Sequence, residues 1–206
     1  MKAWTAWSSA RRGETLIEAD AGISLARLAL FAQSQALTGL EFAHGIPGSL
    51  GGAVFMNAGA YGGEMKQVVQ EVTVLAEDGI RHIPGEECAF GYRKSAFSDG
   101  KTVILGAKLR LEKGDPAQIG ARMAELVAKR KASQPLDYPS AGSTFKRPAG
   151  YYAGTLIQET GLKGLTVGGA QVSEKHAGFV INIGGATCAD VLALIGQVQD
   201  RVMRNL

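Results

Sequence analysis

The chain has 206 residues, 46% of them hydrophobic and 20% charged, a balance that excludes a disordered or fibrous protein and allows one large domain or two small ones. Its 22 Lys and Arg against 19 Asp and Glu give a formal charge of +3, with Arg11-Arg12 and Lys129-Arg130-Lys131 as the basic clusters, too little for a nucleic-acid-binding surface. Cys88 and Cys188 stand too far apart for a metal pair or a disulfide framework and are expected as free thiols; no basic-then-apolar leader and no membrane-length apolar stretch is legible, which predicts a cytoplasmic protein.

Thr15 to Ala19 reads as a strand and Gly22 to Gln35 as a helix with apolar Ile23, Leu25, Ala26, Leu28, Leu30 and Phe31. Ser24 is placed to cap it. Val68 to Ala76 and Lys101 to Leu111 carry the β-branched, partly alternating pattern of strands. Between Val68–Ala76 and Ile80–Ile83, Asp78-Gly79 signals a hairpin turn. Lys113-Gly114-Asp115-Pro116 interrupts pairing and offers Asp115 as a helix cap, which places a domain boundary near Gly114 and predicts domains over 1–113 and 114–206.

Pro116 to Lys131 follows as a charge-decorated helix, then Ser133 to Gly150 as a loop rich in proline and glycine. Tyr152 to Thr160 reads as a helix ended by Gly161 in a left-handed cap. Val167 to Gln171 and Gly178 to Ile183 read as strands, and Cys188 to Arg204 as a final amphipathic helix with no cap after it. The whole is an α+β pattern. No group of residues has the spacing of a metal site.

The run Gly45-Ile46-Pro47-Gly48-Ser49-Leu50-Gly51-Gly52-Ala53 concentrates glycine beyond what an ordinary element tolerates. Such a cluster needs positive φ angles or the close approach of another group, and it leaves backbone N–H groups able to face an anion or a ring edge. It is neither G-x-G-x-x-G nor a phosphate loop. On spacing alone, a ligand loop and a tight turn remain equal readings.

The longer segment Gly39-Leu40-Glu41-Phe42-Ala43-His44-Gly45 through Asn57-Ala58-Gly59-Ala60-Tyr61-Gly62 resembles a flavin-domain segment of the UDP-N-acetylenolpyruvoylglucosamine reductases. Gly91-Tyr92-Arg93-Lys94-Ser95-Ala96-Phe97 is similar to that family's G-Y-R-x-S-x-F motif, and Ala141-Gly142-Ser143-Thr144-Phe145-Lys146-Arg147-Pro148 to its A-G-S-x-F-K-x-P stretch. Gly161-Leu162-Lys163-Gly164 through Val172-Ser173-Glu174-Lys175-His176-Ala177 to Asn182 resembles the core of its substrate domain. The short interval between Arg93 and Ser143 matches the branch that lacks a substrate-capping tyrosine loop.

The resemblance implies the second part of a vanillyl-alcohol-oxidase-type FAD-binding domain followed by a small α+β substrate-binding domain. It implies FAD and NADPH as cofactors and a nucleotide sugar as the small-molecule partner, in the step of peptidoglycan precursor synthesis that yields UDP-N-acetylmuramate. Arg93 and Ser143 inherit catalytic roles. Gly45, Ile46, Pro47, Gly48, Ser49, Gly51, Gly52, Asn57, Ala58 and Gly59 inherit flavin contacts; Tyr92, Lys146, Lys175 and His176 inherit contacts to substrate.

In the family a hydride passes from NADPH through the flavin to the enolpyruvyl group, an arginine holds the carboxylate, and the serine returns a proton. The family's G-G-G-S-N pyrophosphate motif and its P-E-V-R motif, with a third catalytic residue, have no counterpart in these residues. The expectation is a chain truncated at both ends that binds FAD weakly or not at all, and a monomer when complete. Two alternatives stand beside it: an oxidase of the same flavin fold with covalent FAD, and a truncated, inactive piece that binds UDP-sugar without flavin, or nothing.

Overall fold

The computed structural model describes the backbone of residues 7–8 and residues 15–205; Arg11-Arg12 lies outside the described residues. Contacts divide the chain into two compact units, Met1–Ala128 and Lys129–Leu206. The division falls inside a helix, whereas the expected boundary at Gly114 is the connection leading into it.

The first unit is built on strands β1 (Trp7–Ser8), β2 (Leu16–Asp20), β6 (Val69–Ala76), β7 (Gly79–Pro84) and β8 (Val103–Arg110), in the order β1-β2-β8-β6-β7. All neighbours are antiparallel. Strand side chains point alternately to the two faces, and here Ile17, Ala19, Val72, Val74, Ala107 and Leu109 bury one face. Asp78-Gly79 makes the expected turn, with Ala76 opposite Gly79 and Leu75 opposite Ile80. On the other face Glu71 lies directly across from Lys108, their charged ends 2.8 Å apart. The Lys108 contact holds the Glu71 carboxyl below its ordinary pKa, against a smaller opposing effect of burial.

Helix α1 (Leu25–Ser34) begins where Ser24 Oγ accepts the Arg27 N–H, a cap that contributes about 1 kcal/mol. It buries Leu25, Leu28, Ala29 and Ala32. Each fully buried leucine contributes roughly 1.5–3 kcal/mol relative to an exposed one. The small pairs β3 (Leu37–Thr38) with β9 (Glu112–Lys113), and β4 (Gly59–Ala60) with β5 (Gly63–Glu64), flank the unit. Between them runs a short helix α2 (Leu50–Phe55), which the sequence reading had as loop.

Helix α3 (Pro116–Ser133) starts as expected, with the Asp115 carboxylate accepting the Ala117 N–H at 2.8 Å. Its Ile119 and Met123 join the core of the first unit. The second unit holds β10 (Ser140–Ser143), α4 (Ala153–Glu159), β11 (Thr166–Val167), β12 (Ala170–Val172), β13 (Phe179–Asn182) and α5 (Cys188–Arg204). Its antiparallel sheet runs β10-β13-β12-β11, and Ile157, Leu162, Val172, Val180, Leu194 and Val198 form the core beside it.

Three expectations are corrected here. The loop expected over Ser133 to Gly150 contains strand β10, whose pairing to β13 is irregular between Ser140 and Ser143; it has no alternating apolar pattern because it is largely exposed. The single strand expected over Val167 to Gln171 is a hairpin that turns at Gly168-Gly169. Helix α5 is not left open at its end, since the Asn205 side-chain amide donates to the Arg201 carbonyl at 3.1 Å. Gly161 takes the expected left-handed conformation, φ 72°, after α4.

Candidate active site

In the first unit the glycine-rich run opens α2. Ser49 caps this helix, accepting the Gly52 N–H. The Leu50 N–H donates to the Ile23 carbonyl and the Gly51 N–H to the Ala21 carbonyl, both at 2.9 Å. The Leu50, Gly51 and Gly52 N–H groups are therefore satisfied inside the protein rather than free to face an anion. Gly51 is small because of that packing: a Cβ there would lie 2.8 Å from the Ala21 Cβ. Gly48 differs, since a Cβ would meet nothing within 4 Å, and both it and Pro47 are exposed.

Asn57 follows the helix with φ 42° and is 1% exposed. Its amide nitrogen donates to Glu64 Oε2 and to the Gly91 carbonyl, each at 3.1 Å, while its oxygen accepts the Lys66 N–H at 2.9 Å. The side chain of this expected flavin contact is thus turned inward. Ala58 and Gly59 remain half-buried beside it.

Gly91 and Lys94 exchange backbone hydrogen bonds in both directions, 3.0 and 3.3 Å, closing a tight turn with Tyr92 and Arg93 at its tip. Arg93 sits at φ 53°, a left-handed conformation that costs a side-chain-bearing residue about 1–2 kcal/mol. Its Nη2 donates to the Gly59 carbonyl at 3.1 Å, and its guanidinium carbon lies 5.1 Å from the centre of the Tyr92 ring. The buried Ser95 hydroxyl donates to the Phe55 carbonyl at 2.8 Å, fastening the motif to the end of α2. The structure therefore joins Arg93, Gly59 and Asn57 in one network.

In the second unit Ser143 ends β10, exposed and opposite Phe179. His176 is half-buried; its Nδ1 accepts the Gly178 N–H at 3.1 Å and its ring meets Phe179 edge-on at 4.9 Å. Both side chains border Gly178, where an added Cβ would stand 3.3 Å from His176 Nδ1 and 3.7 Å from Ser143 Oγ. Lys175 points elsewhere, its ammonium donating to the Lys131 carbonyl at 2.6 Å. Lys146 is on the rim of a cleft of about 550 Å³ whose other walls include Phe145, Leu156, Ile195 and Met203. Ser143, Lys175 and His176 do not line that cleft.

Residues 134–206 match the family described as UDP-N-acetylenolpyruvoylglucosamine reductase, C-terminal domain, and residues 5–83 match FAD binding domain. The crystal structure of UDP-N-acetylenolpyruvylglucosamine reductase from Thermus caldophilus matches with a TM-score of 0.83 and 39% identity, covering 94% of this chain and 70% of that chain. The chain belongs to the UDP-N-acetylenolpyruvoylglucosamine reductase family.

Among the reductases of this family, that of Limosilactobacillus reuteri is 56% identical over 187 residues, which is 90% of this chain and 63% of the relative. That of Pediococcus pentosaceus is 53% identical over 190 residues, 92% of this chain and 63% of the relative. The chain thus spans about 63% of the length of these curated relatives.

At Pro47-Gly48 the chain is exposed, and a Cβ added to Gly48 would leave the space beside it open. The sequence did not single out three supporting residues. Glu64 meets Asn57 across a turn, and Ser95 reaches back to α2. Ser173, 1% exposed, accepts the N–H groups of Lys175 and His176. Ser95 and Ser173 left local signals, since a serine hydroxyl commonly accepts the N–H two or three residues on.

Among the described residues, no group of three His, Cys, Asp or Glu side chains is close enough to hold a metal, and no helix is long and apolar enough to cross a membrane.

Proposed function

We propose that the protein reduces UDP-N-acetylglucosamine enolpyruvate to UDP-N-acetylmuramate in the cytoplasm, with NADPH as electron donor and FAD as carrier. The observation that carries this reading is identity of 56% along nine-tenths of the chain to a protein named as that reductase. FAD, when bound and reduced by NADPH, would supply the hydride for the terminal carbon of the enol ether. The exposed Pro47 and Gly48, with Ala58 and Gly59, would give it backbone to lie against.

The chain's own residues answer the charge that hydride addition creates. Negative charge grows on the carbon beside the carboxylate, and a preorganised donor aimed at such charge is worth roughly 3–4 kcal/mol when removed. Arg93 is suited to this, because its planar, permanently charged guanidinium matches a carboxylate with two parallel hydrogen bonds. Its bond to Gly59 and its place over Tyr92 hold it ready before substrate arrives.

Ser143 completes the reaction by giving its proton to that carbon and recovering one from solvent. A hydroxyl is a weak acid and serves only against a strongly basic centre with cationic support, a role open to Lys146. Tyr92 and His176 are the further candidates for holding the nucleotide sugar, whereas the Lys175 ammonium is engaged by the Lys131 carbonyl.

The test is turnover by the full-length protein. NADPH oxidation that requires UDP-N-acetylglucosamine enolpyruvate, with a product heavier by two hydrogens, supports the reading; NADPH oxidation indifferent to that compound contradicts it.

A further inference from the structure

The sequence resemblance makes Asn57 a flavin contact, yet its side chain is 1% exposed and bonded on three sides within the protein. Its two N–H donors reach different segments: Glu64 on β5 and the Gly91 carbonyl at the base of the Arg93 turn. Its oxygen holds the Lys66 N–H just beyond β5. Only a primary amide of this length offers two donors and an acceptor in one plane, so neither Ala nor Asp could bridge all three partners.

Arg93 needs such support. Its backbone occupies the left-handed region, and its side-chain anchor, the Gly59 carbonyl, belongs to β4, the strand paired with β5. Asn57 thus ties both ends of the arginine: the turn that carries its backbone, through Gly91, and the hairpin that receives its guanidinium, through Glu64.

Resting on the catalytic reading of Arg93 above, we propose that Asn57 is a positioning residue for Arg93, setting the guanidinium through the Asn57–Gly91 and Asn57–Glu64 bonds rather than touching cofactor. Its contribution is registered only through Arg93. A displacement of about 1 Å in a group that binds developing charge can cost on the order of a hundredfold in rate.

Two measurements test this. The first needs no cofactor: in hydrogen exchange on the present chain, Asn57→Ala accelerates exchange in peptides over 89–97 and leaves β6 and β8 unchanged. The second is a double-mutant cycle in the full-length reductase, following reduction of the enolpyruvyl sugar. Asn57→Ala slows it about tenfold to a hundredfold, and Asn57→Ala with Arg93→Ala is no slower than Arg93→Ala alone. Asn57→Asp, which keeps the volume and the Lys66 bond, shows the same pattern and serves where the alanine variant is poorly folded. Unchanged exchange at 89–97, effects that multiply with Arg93→Ala, or unfolding of both Asn57 variants would overturn the proposal. An Arg93→Ala enzyme as fast as wild type would instead overturn the role of Arg93 itself.

Discussion

The Lys175 ammonium donates to the Lys131 carbonyl at 2.6 Å, closing the C-terminal end of α3. A cation at a helix C-terminus is stabilising by roughly 0.3–1 kcal/mol. Lys175→Ala is therefore expected to lower the melting temperature of the chain slightly and, in the full-length reductase, to change KM for the nucleotide sugar by no more than about twofold. A large rise in KM at unchanged melting temperature would make Lys175 a substrate ligand.

Two glycines of the same run separate packing from ligand contact. Gly51→Ala places a Cβ 2.8 Å from that of Ala21, an overpacking expected to cost about 1–3 kcal/mol, read as a lower midpoint in denaturant. Gly48→Ala meets nothing within 4 Å, so its midpoint is expected to stay within about 0.5 kcal/mol. The same Gly48→Ala change should weaken FAD binding by the full-length protein, measured by fluorescence titration. Unaltered FAD affinity would remove Gly48 from the flavin surface.

The two thiols should separate under alkylation. Burial, with the nearby Glu87 carboxylate adding to it, pushes the Cys88 pKa up to about 11, and the thiolate is the nucleophile. Cys188 is exposed. At neutral pH, iodoacetamide is expected to modify Cys188 in the native chain and Cys88 only in denaturant, as peptide mass mapping will show. Equal native labelling would contradict the burial of Cys88.

The sheet of the first unit was legible because its strands alternate, as in Val72 and Val74, and because Asp78-Gly79 is a strong turn signal. Helix α5 was legible from its 3.6-residue period. Strand β10 was not, because it is exposed and its pairing to β13 depends on residues some 40 positions distant, as the Ser140 to Val180 hydrogen bond illustrates. Helix α2 was hidden because its two glycines disfavour helix locally, while its capping by Ser49 and its seat on Ala21 and Ile23 are tertiary. The site residues Arg93 and Ser143 came from family resemblance. What the sequence could not carry was the inward turn of Asn57 or the grip of Lys175 on Lys131, both set by long-range bonds.

The most direct measurement follows the full-length reductase with its flavin already reduced by NADPH, in the absence of oxygen, as UDP-N-acetylglucosamine enolpyruvate is added. Wild type should regain its flavin absorbance, whereas Ser143→Ala should reduce FAD normally yet regain absorbance about 10²–10⁴-fold more slowly, the range for loss of a general acid. Recovery at the wild-type rate in Ser143→Ala would contradict the account.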